Sequence, residues 1–96
     1  MIIYSVKITV HETISNEWID WMNKKHIPDV MSTQLFVAFH FFKDINAKHT
    51  YTIQYELDSF ENFLEYEKKF AKKLQLEHSE KFKNKFQATR NIFIKK

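Results

Sequence analysis

At 96 residues, with 44% hydrophobic and 17% aromatic side chains, the chain is large enough for one domain with a single modest core, and too apolar to stay disordered. It has no cysteine and no glycine, which excludes a disulfide framework, a thiol nucleophile, zinc–thiolate sites and both common glycine-rich phosphate loops. The net charge of +3 is unevenly spread, because residues 67–96 carry net +7 and leave the remainder at −4. A basic final third raises nucleic-acid binding as a hypothesis, although Lys68, Lys69, Lys72 and Lys73 read first as the solvated face of a helix.

Residues 2–10 alternate: Ile2, Tyr4, Val6, Ile8 and Val10 share one face, and Ser5, Lys7 and Thr9 share the other. That predicts a half-buried strand. The start is too short and too alternating for a signal peptide, no run is long enough to span a membrane, and a cytoplasmic protein is expected.

A helix is predicted over about 15–27. At about 100° per residue, Trp18, Ile19, Trp21, Met22 and His26 fall on one apolar arc, with Lys25 as its single charge. Ser15 is the expected N-cap, with Ile14 and Ile19 as a hydrophobic staple around it. Pro28 disfavours helical geometry at Ile27, so the helix should stop near His26 before a second short turn through Asp29, Val30 and Met31.

A second strand is predicted over Leu35–Lys43, with Leu35, Val37, Phe39 and Phe41 on one face and Phe36, Ala38, His40 and Phe42 on the other. Asp44 to Lys48 reads as a hairpin turn. The third strand runs over His49–Leu57, with Tyr51, Ile53, Tyr55 and Leu57 inward. Asp58 with Glu61 predicts the start of a second helix, whose apolar stripe is Phe60, Phe63, Leu64, Phe70, Ala71, Leu74, His78 and Phe82. Glu67 and His78 are polar positions within that stripe. Leu76 points away from it, which predicts a break or shift in the helix near residue 72. Phe86–Ile94 is the last strand, with Phe86, Ala88, Arg90, Ile92 and Ile94 inward.

The order β-α-β-β-α-β predicts an α+β, ferredoxin-like sandwich: one domain over 1–96, a four-stranded antiparallel sheet, and both helices on one face. The open face would expose Phe36, Phe42 and Phe93 around polar central strands. A second copy across a two-fold axis would cover it, so a homodimer through that face is expected.

Candidate chemistry sits where polar side chains point inward. His26 and Lys25 from the first helix, Glu67 and His78 from the second, and Arg90 from the sheet converge in this reading. Trp18, Trp21, Met22, Tyr55 and Tyr66 wall a pocket around them. His26 or His78 would act as general acid or base, and Arg90 would hold a carboxylate or a developing enolate. The competing reading is a self-satisfied core in which His26 is hydrogen-bonded and Arg90 pairs with Glu67. No spacing among the five histidines predicts a metal site, and no cofactor is expected. RNA-recognition domains share this element order, but stack bases on aromatics of the open face. Here that face offers Ser5, Lys7, Thr9, Thr50, Thr52 and Gln54, so no nucleic-acid partner is expected, and no membrane partner.

With these residues laid out, the chain resembles the bacterial family known as domain of unknown function 4286. The resemblance rests on the opening Ile2-Ile3-Tyr4-x-Val6 and on Trp18, Trp21, Met22, His26, Ile27, Pro28, Val30, Met31 and Thr33. Later matches are Ile53 to Tyr55, Tyr66, Ala71, Leu74, Glu77-His78, Phe82 and Arg90. Gln34 and Asn84 stand where that family often has glycine, which bears on turn geometry. The resemblance implies a relative of the dimeric α+β barrels and no assigned activity. Cofactor-free monooxygenases, lactone isomerases and haem enzymes share that architecture, so fold analogy alone selects none of them. The expected function is binding of a small, partly apolar molecule between helices and sheet, acidic if Arg90 holds it. The alternatives are a cofactor-free enzyme using His26 or His78, and a structural or protein-interaction module without a ligand.

Overall fold

The computed structural model describes all residues 1–96. The chain runs β1 (Ile2–Val10), a 3-10 turn (Glu12–Ile14), α1 (Ser15–Trp21), a π turn (Met22–His26), α2 (Ile27–Met31), β2 (Ala38–Lys43) and β3 (Thr50–Leu57). It continues with α3 (Phe60–Tyr66), a second π turn (Glu67–Ala71), α4 (Lys72–Lys81) and β4 (Phe86–Ile94). The strands form one open antiparallel sheet in the order β2-β3-β1-β4, the ferredoxin-like arrangement, and do not close into a barrel. No helix is long and apolar enough to cross a membrane.

Alternation in β1, β3 and β4 becomes two unlike sheet faces. Ile2, Tyr4, Val6, Ile8 and Val10 meet Leu57, Tyr55, Ile53 and Tyr51 beneath the helices. Tyr4 lies at the centre of an aromatic group, with its ring 5.2 Å from Phe63 and 6.0 Å from Tyr55 and Tyr66. Across the open face the register aligns His40, Gln54, Ser5 and Asn91 in one row, with Phe42 and Phe93 at opposite corners. Both phenylalanines are about half exposed, at 49% and 48%.

Phe36 is not on that open face. The strand begins at Ala38 rather than Leu35, so period-2 alternation does not govern Phe36, which turns inward and packs 4.8 Å from Tyr66 and 5.2 Å from Tyr55. Gln34 supports the preceding turn in the left-handed region, at φ 64°.

The first long helix does not stop at His26. Ile27 keeps right-handed helical angles, and its N–H reaches back five residues to the Met22 carbonyl. A π turn widens the helix by one residue and so accommodates Pro28, which lacks an N–H and would crowd the carbonyl of Lys24 in a regular helix. The buried positions step from Trp18 to Met22, then by five to Ile27 and by three to Val30. The second helix repeats this: Phe63 and Tyr66, then five residues to Ala71, then Leu74 and His78. The shift expected near residue 72 is therefore this second π turn. Phe60 and Leu64, assigned to the inward stripe by spacing, are each 48% exposed.

The caps also differ from expectation. Ser15 is the first residue of α1 and is buried, its Oγ 3.3 Å from the Tyr51 hydroxyl, while Ile14 holds the cap position without a side-chain bond. Ser59, not Asp58, caps α3 by accepting a hydrogen bond from the Asn62 N–H at 3.2 Å.

Candidate functional site

Between the helices and the sheet lies a cavity of about 30 Å³, room for one or two water molecules. Its apolar wall comes from Val6 and Ile8 of β1, Met22 and Val30 of the first helix, and Ile53 of β3. Its polar lining is His26, Gln75, His78, Arg90 and the three tyrosines Tyr4, Tyr55 and Tyr66. The inward reading of His26, His78 and Arg90 thus matches where the fold places them, together with Met22, Tyr55 and Tyr66.

Four expected members stand elsewhere. Glu67 is exposed, because the π turn that begins there rotates it out of the stripe. Lys25 projects to the surface and bonds Asp29, with Glu77 3.9 Å away. Trp18 and Trp21 do not line the cavity but stand behind its histidines. Trp18, fully buried, donates its indole Nε1–H to His78 Nε2 at 2.8 Å. Trp21 stacks on His26, with ring centroids 5.3 Å apart and planes 29° apart.

The His26 and His78 rings meet edge to face at 5.6 Å. His78, 5% exposed, also packs edge-on against Phe86 at 4.3 Å. An indole N–H can only donate, so the neutral His78 ring carries its proton on Nδ1. Burial pushes His26 down from 6.5 to about 4; Asp29 opposes this, and the Arg90 and Lys25 cations add to it. Burial likewise pushes His78 down to about 4, helped by His26 and Arg90. Both rings are therefore neutral at pH 7. His26 Nδ1 is the one buried side-chain nitrogen or oxygen left without a hydrogen-bond partner.

Arg90 forms no ion pair, with Glu67 or any other carboxylate, and no carboxylate lines the cavity. Its guanidinium lies beside the Tyr4 hydroxyl; burial raises the Tyr4 pKa and Arg90 opposes that rise. Burial raises Tyr55 and Tyr66 as well, so all three phenols stay protonated donors at neutral pH. The polar interior is not the self-satisfied Arg90–Glu67 network. No group of three or more His, Asp or Glu side chains is placed to hold a metal ion.

The residue that spacing missed is Gln75. It lines the cavity and also a surface groove shared with Glu67, Ala71, Lys72, Leu76 and Ser79, so it separates the interior from the outside of the second helix. Its signal in the sequence is its place one turn before His78, visible once the five-residue step from Tyr66 to Ala71 is allowed for.

Solved structures share this architecture. SnoaB, a cofactor-independent oxygenase from Streptomyces nogalater, superposes with a TM-score of 0.78 at 12% identity, over 99% of this chain and 92% of that one. A dimeric ferredoxin-like protein from an uncultured marine organism gives 0.72 at 17% identity, over 99% and 94%. A conserved protein of unknown function from Bacteroides thetaiotaomicron gives 0.73 at 15%, over 96% and 94%. At these identities the likeness is one of fold, the ferredoxin-like sandwich. No curated protein matches the sequence. Residues 1–95 match the family described as domain of unknown function DUF4286, and the chain belongs to that family.

Proposed function

We propose that this protein is a homodimer that binds a small, partly apolar, acidic molecule between its helices and its sheet. The observation that carries the reading is an unpartnered buried nitrogen in a cavity whose lining also holds a cation with no carboxylate. Arg90 has no carboxylate, and His26 Nδ1 has no hydrogen-bond partner. A buried polar atom without a partner is costly, which applies to His26 Nδ1 and not to the exposed Arg90; an anion entering the cavity would lie beside that ring and could pair with the free guanidinium. The cavity, about 30 Å³, is far smaller than a pocket for a drug-sized molecule. A ligand larger than a water molecule therefore needs the cavity to widen, and among its lining residues Arg90 is exposed and Gln75 half-buried.

A second reading, a cofactor-free enzyme, is favoured by the same two histidines. Both are neutral at pH 7, and one can accept a proton while the other donates one. SnoaB shows that this fold hosts cofactor-independent oxygenation in another protein.

The half-exposed Phe42 and Phe93 support dimerisation through the open face. Native mass spectrometry of freshly purified protein tests both parts. A dimer carrying extra mass that is lost in Arg90→Ala is the expected result. A monomer overturns the dimer. If no adduct is seen and carboxylates and phenols leave the NMR signals of Met22, Ile53 and Val30 unmoved, the ligand reading is overturned.

A further inference from the structure

The two histidines are not equivalent, and the difference is set by the tryptophan behind each. His78 Nε2 accepts the Trp18 indole N–H at 2.8 Å in a fully buried contact. A second proton on His78 would go to that nitrogen and set two N–H groups against each other with no acceptor between them. His78 is thereby held as a neutral ring whose single donor is Nδ1–H. His26 carries no such bond. Its Nδ1 is free of partners, and its ring lies flat on Trp21, whose indole face attracts a cation.

We propose that Trp18 and Trp21 divide the labour between the histidines. Trp18 fixes His78 as a neutral hydrogen-bond donor, and Trp21 supports His26 as the group that takes up a proton when a weak acid binds as its anion. This rests on the ligand reading above and adds to it the ligand's protonation chemistry. In the step itself, the acid's O–H bond breaks, its proton goes to a ring nitrogen of His26, and the oxygen anion is held by Arg90 and His78 Nδ1–H. A ligand already ionised in water brings its proton from solvent, so the site takes up one proton per anion.

The surroundings of His26 agree with this role. On its own helix Lys25 is tied to Asp29, and Glu77 of α4 lies near that lysine. The groups facing it across the cavity are His78 from α4, Arg90 from β4, and the phenols Tyr4, Tyr55 and Tyr66, which are protonated at neutral pH. No carboxylate lines the cavity, so a bound anion would be the one full negative charge within it.

The test is histidine-selective ¹⁵N NMR at pH 7, which reads each ring's tautomer, with formate and benzoate as probes and formamide and benzamide as their neutral counterparts. His78 is expected in the Nδ1–H form throughout. On anion binding His26 alone is expected to become an imidazolium, with about one proton taken up per anion in calorimetry across buffers. The amides should bind without proton uptake. His78→Gln, which keeps an acceptor for Trp18 and cannot titrate, should preserve the uptake; His26→Gln should abolish it. Trp18→Phe should let His78 titrate. Protonation of His78 in the wild type, or anion binding without proton uptake, overturns the division of labour while leaving the ligand reading intact. If no probe binds, the ligand reading fails, and acid titration of the free protein still decides the histidine assignment. There His26 must protonate before His78, an order that Trp18→Phe erases; if that variant does not fold, the order in the wild type decides, with His78→Gln identifying the His26 signals.

Discussion

Acidification should unfold this protein through its two buried histidines. Each ring titrates near 6.5 in the unfolded chain and near 4 in the fold. Above pH 6.5 both states hold neutral rings and the histidines place no pH dependence on stability. As pH falls from 6.5 towards 4 the unfolded chain gains protons that the fold excludes, so stability is lost across that window and levels off below it. At about 1.4 kcal/mol per pH unit of difference, one histidine withdraws about 3 kcal/mol. The pair withdraws about 5 kcal/mol, less than twice the single value, because the His78 shift already includes the His26 charge. That is a large share of the roughly 5–15 kcal/mol that stabilises a small domain. Urea denaturation followed by circular dichroism at pH 7, 6, 5 and 4 measures it. The free energy should fall with a slope approaching 2.7 kcal/mol per pH unit near pH 5. A His26→Gln, His78→Gln double variant should flatten most of that slope. A wild-type stability that stays level from pH 7 to 4.5 would refute the claim that both rings are buried neutral.

Other substitutions test particular parts of the fold. Gln34→Gly relieves a left-handed residue at φ 64° and should stabilise by about 0.5–1 kcal/mol net of unfolded-state entropy. The melting temperature should rise by several degrees, and a fall would count against strain there. Ser59→Ala removes the cap on Asn62 N–H and should cost about 1 kcal/mol in urea unfolding, with no loss meaning that the cap is replaced by water. Phe36→Ala should cost about 3–4 kcal/mol as a core truncation; a loss under 1 kcal/mol would return Phe36 to the open face. Phe42→Glu should abolish the proposed dimer in native mass spectrometry, and a variant that still dimerises would place the interface elsewhere.

The strands were legible because each sheet face meets a different medium. Alternation over 2–10 and 50–57 follows directly from one wet and one dry face, whereas in 86–94 it buries side chains in part only at Phe86 and Ala88, and Arg90, Ile92 and Ile94, expected inward, are exposed. His26, His78 and Arg90 were legible for the same reason, as polar residues at positions read as inward. What the sequence concealed lies at the two five-residue turns. A fixed step of about 100° per residue cannot express a π turn, so it placed Lys25 and Glu67 inward and passed over Gln75, and the rule for the residue before Pro28 ended a helix at His26 that the π turn carries through. Phe36 was misplaced because alternation was extended into a segment that is not strand. Ser59 was passed over because Asp58 with Glu61 has capping-box spacing one residue early.

Each π turn holds one residue more than a regular helix would need between its buried positions, so the chain resembles a pair of regular helices with a single insertion in each. Deleting one residue from Lys68–Phe70 would restore an ordinary helix and keep the flanking core residues facing the sheet, whereas the same deletion within Asn23–Lys25 would also need Pro28 replaced. The fold would survive a history of gain or loss at these two places. The first insertion sets both His26 and Ile27 against the core, and the second sets the phase of Gln75 and His78. Length variation at these points would therefore separate relatives that keep the scaffold from those that keep the site.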